Sequence, residues 1–217
     1  MKLMVPAIAL TVMCACGGTG TPVTVQTVDS FLDRQAEGKR LVRDLPRFGT
    51  TFAAMPTTGS ASFSGVAGLI IDPVAATDAD DVAIIGDARL TAQFAGNGRV
   101  TGTIDNMIGA QGTNRSNASV FDVDGVIRIG SIGSSIGPDP DDPIDPNQFL
   151  AEYRGILTTP DDRYSISGVM LGRFLGTDPS RPGRPMKGLT ALDENGFSLD
   201  SDGDDAPVTL EIVAVID

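Results

Sequence analysis

The chain is predicted to be all-β, an eight-stranded antiparallel β-barrel preceded by a short N-terminal helix, and three observations carry that prediction. The first is a hairpin. Ala88, Leu90, Ala92 and Phe94 alternate with Asp87, Arg89, Thr91 and Gln93, so a period of two sends one set to each face of a strand. After Gly96-Asn97-Gly98, Val100, Gly102 and Ile104 resume the pattern against Arg99, Thr101, Thr103 and Asp105. A short Gly-rich connection between two alternating runs is a hairpin signal. The second observation is repetition: such runs recur along the chain with no helical segment between them, which argues for a meander rather than βαβ units. The third is the glycines inside the runs (Gly65, Gly68, Gly102, Gly125, Gly155, Gly168, Gly172), which weaken a flat sheet but suit a small barrel that bends sharply. About eight strands close into a barrel that its own side chains fill, and closure removes exposed edges. A two-sheet sandwich is the alternative packing of the same strands.

Taken in order, residues 1–15 read as a lipoprotein signal peptide. Met1-Lys2 is a basic start, and the apolar run from Leu3 to Met13 is shorter than the roughly 20 residues that a membrane-spanning helix needs. Met13-Cys14-Ala15-Cys16-Gly17-Gly18 then resembles the bacterial lipobox, with Ala15 before the Cys16 that is lipidated; Met13 stands where that pattern prefers Leu. Cleavage there removes Cys14, so the mature body has no thiol for an internal disulfide. In lipoproteins an Asp after the lipidated Cys commonly retains the protein at the inner membrane. Gly17 stands there, so the resemblance implies the outer membrane of a Gram-negative bacterium, at its surface or its periplasmic face. Residues 16–28 read as a flexible tether and 29–48 as a helical lead-in. Asp29 or Ser30 is placed to cap a helix over 29–44 that carries Phe31, Leu32, Leu41, Val42 and Leu45, although Gly38 interrupts it. Pro46 ends it.

Residues 49–217 are the barrel domain, with strands expected over 61–71, 84–95, 99–108, 119–129, 149–158, 164–176, 186–192 and 208–216. In the sixth, Tyr164, Ile166, Gly168, Met170, Gly172 and Phe174 share the inward side; in the last, Val208, Leu210, Ile212, Ala214 and Ile216 do.

Within this region the residues resemble a known family. Met55-Pro56-Thr57-Thr58-Gly59-Ser60-Ala61-Ser62-Phe63-Ser64-Gly65 looks like the entry to the β-barrel domain of transferrin-binding protein B and related surface lipoproteins. Gly86-Asp87-Ala88-Arg89-Leu90 through Phe94, then Val100-Thr101-Gly102-Thr103-Ile104, is similar to that family's next hairpin. The run from Ile166 to Gly176 resembles its later Gly-rich strand. The resemblance implies a single-barrel lipoprotein that captures a partner through its loops, with iron or haem acquisition as one form of that role. Two departures limit it. The transferrin receptors have two lobes with handle domains, and Pro185-Met186-Lys187-Gly188 stands where the family often has an acidic residue and Gly. Transferrin binding is therefore not carried over.

The formal charge of −12 argues against nucleic acid or anionic lipid headgroups as partners. The absence of His removes Ser-His-Asp and Cys-His catalysis and the commonest metal ligand. Gly133-Ser134-Ser135-Ile136-Gly137 spells G-x-S-x-G but runs into Pro138-Asp139-Pro140 rather than a helix, so it reads as a flexible loop. Gly96-Asn97-Gly98 lacks the helix of a dinucleotide fingerprint and reads as a turn. Asp200-Ser201-Asp202-Gly203-Asp204-Asp205 departs from an EF-hand count, with Asp205 where Gly belongs, and reads as an Asp-rich hairpin turn. Tyr153, Tyr164, Met107, Met170 and Met186 are residue types that ligate haem elsewhere, but Tyr164 and Met170 fall on the inward face and read as core. The long acidic, proline-spaced loop leaves Asp139, Asp141, Asp142 and Asp145 as candidate ligand-binding residues.

The expectation is a non-enzymatic protein without cofactor or metal, membrane-attached by its lipid. Its partner is a host or environmental protein or a haem-like ligand. The competing class is a structural envelope lipoprotein with no dedicated ligand, and a hydrolase using two carboxylates comes third.

Overall fold

A computed structural model describes residues 27–72, 81–112, 118–138, 144–176 and 186–217. Helix α1 spans Val28–Asp44. A two-residue strand, β1 (Phe48–Gly49), and a 3-10 turn over Phe52–Ala54 follow. The barrel strands are β2 (Ser60–Ile71), β3 (Val82–Gln93), β4 (Arg99–Gln111), β5 (Ser119–Ile136), β6 (Gln148–Thr158), β7 (Arg163–Gly176), β8 (Met186–Leu199) and β9 (Asp205–Ile216). Each pairs antiparallel with the next, and β9 pairs with β2, Ile71 lying opposite Val208 and Phe63 opposite Ile216. The sheet is therefore a closed eight-stranded barrel, as the alternation predicts, and the sandwich alternative falls.

The inward faces are those the period of two marks. Ala88, Leu90, Ala92 and Phe94 are buried, as are Tyr164, Ile166, Met170 and Phe174. All eight barrel strands contribute to one continuous apolar cluster. Ile216 is the exception on the last strand: it sits at the strand's end and stays 38% exposed. At one mouth, Phe174 gathers Phe149, Phe94 and Phe63, with ring centroids 5.2, 5.7 and 6.0 Å away. Apolar inside and largely polar outside, the barrel inverts the pattern of a lipid-facing outer-membrane barrel, whose exterior is the apolar face.

Three strands run past their expected ends, β4 to Gln111 and β5 and β8 much further. β5 continues through Gly133-Ser134-Ser135-Ile136, the segment expected to be a loop. A register slip between Ile129 and Ser134 absorbs the extra residues, after which Ser134 faces Ala151 on β6. Ser134 Oγ accepts from the Val100 N–H (2.9 Å) and donates to the Leu150 carbonyl (2.9 Å), so it closes ladder bonds that the slip would leave open. β8 continues from Leu192 to Leu199 through a second slip, between Asp193 and Gly196, which changes the phase of the alternation.

Helix α1 lies outside the barrel. Its N-cap is Thr27, two or three residues before the expected Asp29 or Ser30. Thr27 Oγ1 accepts from the Ser30 N–H (3.2 Å), and Ser30 Oγ accepts from the Thr27 N–H (2.8 Å). This reciprocal box satisfies two end donors and leaves Asp29 inside the first turn, where its charge opposes the helix dipole favourably. At the other end Leu45 is extended before Pro46. Leu41 and Leu45 bury against Val66, Ile85, Ile108, Leu175 and Val213, a second apolar cluster on the outer wall. Arg34 Nη1 donates to Asp87 Oδ1 (3.1 Å) and to the Asn106 carbonyl (2.6 Å), while Asn106 Nδ2 donates to Asp87 Oδ2 (2.8 Å). Asn106 sits in a bulge at a φ of 54°, a conformation that Asn tolerates better than most residues.

Candidate functional site at the barrel mouth

The lead-in from α1 crosses the mouth capped by the phenylalanines before it enters β2. Phe48 and Gly49 pair with Gly176 and Leu175 on β7, and the Thr50 N–H donates to the Phe174 carbonyl (2.8 Å). The connection from β5 to β6 meets it there. The Phe174 N–H donates to the Asn147 carbonyl (2.9 Å), and Asn147 Nδ2 donates to the Thr50 carbonyl (2.7 Å). Thr50, Asn147 and Phe174 thus tie three separate stretches of chain into one corner.

Over this corner lies a cleft of about 390 Å³ lined by Phe48, Gly49, Thr50, Thr51, Phe52, Asp145, Asn147 and Arg173. Its two aromatic rings are unusually open, Phe48 54% and Phe52 56% exposed. Arg173 and Asp145 face one another across it at 3.7 Å, both half in solvent. Deeper in, Thr50 Oγ1 and Asn147 Oδ1 are buried without a hydrogen-bond partner, although most buried polar groups find one. A neighbouring cleft of about 270 Å³ shares Phe52 and has Met55, Phe94, Ile136 and the prolines Pro56, Pro138 and Pro146 in its walls. Aromatic faces, one ion pair and two unpartnered buried oxygens make an inventory for recognition.

Of the four aspartates expected to bind a ligand, Asp145 belongs to this cleft; Asp139, Asp141 and Asp142 lie outside the described residues, as does Cys16. Asp145 is held by a reciprocal pair with Gln148: its N–H donates to Gln148 Oε1 (2.8 Å), and the Gln148 N–H donates to its carbonyl (2.8 Å). Sequence reasoning missed Phe48, Phe52, Thr50, Asn147 and Arg173. Periodicity says nothing of Thr50 or Asn147. The signals available were apolar Phe48 and Phe52 in a segment with no regular period, and Arg173 on the solvent phase of an otherwise well-marked strand.

The five residues named as haem-ligand types all pack in the barrel core, Met107, Tyr153, Tyr164, Met170 and Met186 alike. Tyr153 is not simply apolar filler. Its hydroxyl donates to Asp193 Oδ2 (3.0 Å), whose Oδ1 accepts from the Asn195 N–H (2.9 Å). Both side chains are buried. The pair fits because Gly168 and Gly196 face it; a Cβ on either would collide with the Tyr153 hydroxyl. Burial first, then the charge and hydrogen bond of Asp193, push the Tyr153 phenol far above its usual pKa.

At the opposite mouth the Asp-rich segment is a hairpin turn, as expected. Asp200 Oδ1 accepts from the N–H groups of Asp202 and Asp204 (2.9 Å each). Ser201 Oγ donates to Asp162 Oδ1 (2.6 Å), which, with backbone N–H groups, holds the Asp162 carboxyl below its usual range. Among the described residues, no group of three or more acidic side chains is gathered as a metal centre requires. A further groove of about 440 Å³ runs outside the barrel between α1 and the wall, with Phe31, Val42 and Ile70 on its apolar sides and Lys39 and Glu211 among its lining.

Set against known protein families, curated proteins and solved structures, the chain matches none of them.

Proposed function

We propose that this protein is a lipid-anchored envelope protein whose barrel is a rigid, non-catalytic scaffold, and that it captures a partner protein at the mouth where Asp145 and Arg173 sit. The observation that carries the reading is the cleft there. Phe48 and Phe52 expose their rings beside the Arg173–Asp145 pair and above two buried side-chain oxygens, Thr50 Oγ1 and Asn147 Oδ1, that lack a hydrogen-bond partner. Exposed aromatics beside an arginine are the residue types that dominate binding energy at protein interfaces. The packed interior supports an external site, because every barrel strand fills the lumen with side chains. The lipid anchor at Cys16 and an outer-membrane address rest on the lipobox resemblance. In sequence, Asp139, Asp141 and Asp142 belong to the same acidic run as Asp145, and negative charge there favours a partner with a basic patch.

The test is native mass spectrometry of the body from Gly17 onward after incubation with host and environmental extracts, run beside a Phe48→Ser/Phe52→Ser variant. A stoichiometric protein adduct that the variant loses by tenfold or more supports capture at this mouth. An adduct unchanged by the variant, or no adduct in any extract, overturns it and favours a structural envelope role. A haem absorbance band appearing on titration of the body would redirect the reading to a small molecule.

A further inference from the structure

We propose that the outer wall carries a second recognition face, centred on Arg128 and Arg154, which takes an acidic, partly apolar segment of a partner protein. The two arginines are direct register partners on β5 and β6. Residues so opposed have Cβ atoms about 5 Å apart, and like charges placed there destabilise a sheet. Both point outward, flanked on their strands by inward residues: Ile127 and Ile129 beside Arg128, Tyr153 beside Arg154. Among the described residues neither side chain makes a hydrogen bond or an ion pair, whereas Arg89, one strand further along the same row beyond Thr103, is neutralised by Asp105 at 2.6 Å. In a chain with 16 basic and 28 acidic residues, an unneutralised facing pair of cations is a cost that the nearby acids do not relieve.

The ligand's shape follows from the surroundings. On the other side of Arg154 the row continues to Ser167 and Phe197. Ile156 and Phe197 stay 48% and 41% exposed, a low apolar shelf beside the charge. Asp124 and Glu152 bound the patch along β5 and β6. A broad anionic surface pressed against this wall meets those acids, while a narrow segment does not. Carboxylates over the arginines with apolar side chains on the shelf satisfy both halves.

The experiment uses the full chain in neutral-detergent micelles and a fluorescein-labelled peptide alternating Glu and Leu. Control ligands are the same peptide with Gln for Glu, and vesicles containing phosphatidylglycerol. The expected result is saturable binding that weakens at least tenfold in the Arg128→Gln/Arg154→Gln variant and tenfold for the Gln peptide. Amide shifts should centre on Arg128, Arg154 and Phe197. The variant should melt no lower than the parent, because a repulsion is removed. An Arg154→Glu variant should lose the Glu peptide and gain one alternating Lys and Leu. Equal peptide binding by parent and double variant, or arginine-dependent binding of the vesicles alone, overturns the proposal.

Discussion

Replacing Tyr153 by Phe isolates its buried carboxylate–phenol bond with Asp193 inside the barrel. The ring stays, so no cavity forms, but Asp193 Oδ2 loses its donor at 3.0 Å in a buried setting. Leaving a buried acceptor unsatisfied costs about 1–3 kcal/mol, so we expect a loss of about 2 kcal/mol and a fall in Tm of roughly 4–8 °C for a domain of this size. The pH dependence is sharper. Because the folded-state pKa of Tyr153 is raised above its unfolded value, the stabilisation is fully present below about pH 10, the ordinary phenol pKa. Above it the unfolded chain releases a proton that the folded chain keeps, and stability falls by about 1.4 kcal/mol per pH unit. Parent and Tyr153→Phe should therefore converge near pH ~11.5, about 1.5 units beyond the phenol pKa at that slope. Tyr164, raised by burial and then by Asp162, falls away in both proteins alike. The chain has two tyrosines, so absorbance at 295 nm follows them directly, and circular dichroism follows the strands. Ionisation of the Tyr153 phenol should coincide with loss of strand signal. A phenol that ionises near pH 10 in the parent but not in the variant, with the barrel intact, refutes the reasoning.

Gly38→Ala should raise stability by about 0.5–1 kcal/mol, read as a higher Tm. The new Cβ meets Val66 at ordinary contact distance, 3.6 Å, and Ala gains that much over Gly within a helix. Arg34→Ala should lower stability by about 1 kcal/mol in urea titration, because it removes two donors from a half-exposed network and leaves Asp87 and the Asn106 carbonyl with fewer partners. Cys16→Ser should move the protein from the membrane fraction to the soluble one; unchanged fractionation would defeat the anchor.

The barrel was legible because its code is binary. Wherever apolar residues alternate, as at Ala88 to Phe94 and Tyr164 to Phe174, the inward face is set by spacing alone. Legibility ended where the phase breaks. Leu189, Ala191 and Asp193 share one phase, which already sends Asp193 inward. The slip that follows at Glu194-Asn195 hides the rest of β8 from any period count. Ser134 was hidden for the same reason, since a strand that slips register spells like a loop. The docking of α1 had a signal that alternation obscures: doubled apolar residues at Ile84-Ile85, Met107-Ile108 and Ile212-Val213 mark strands covered on both faces. The mouth cleft was the least readable part, because Thr50, Asn147 and Arg173 are brought together by three crossing stretches of chain rather than by any local pattern.

Closure joins the first barrel strand to the last, so Ile71 waits for Val208 and Phe63 for Ile216. Contacts that far apart in sequence form late and slowly. Until β9 arrives, β2 and β8 each present a bare row of donors and acceptors, the kind of edge that recruits other chains. A copy lacking β9 should therefore aggregate rather than populate a smaller barrel, and synthesis must deliver that strand before the ring can shut.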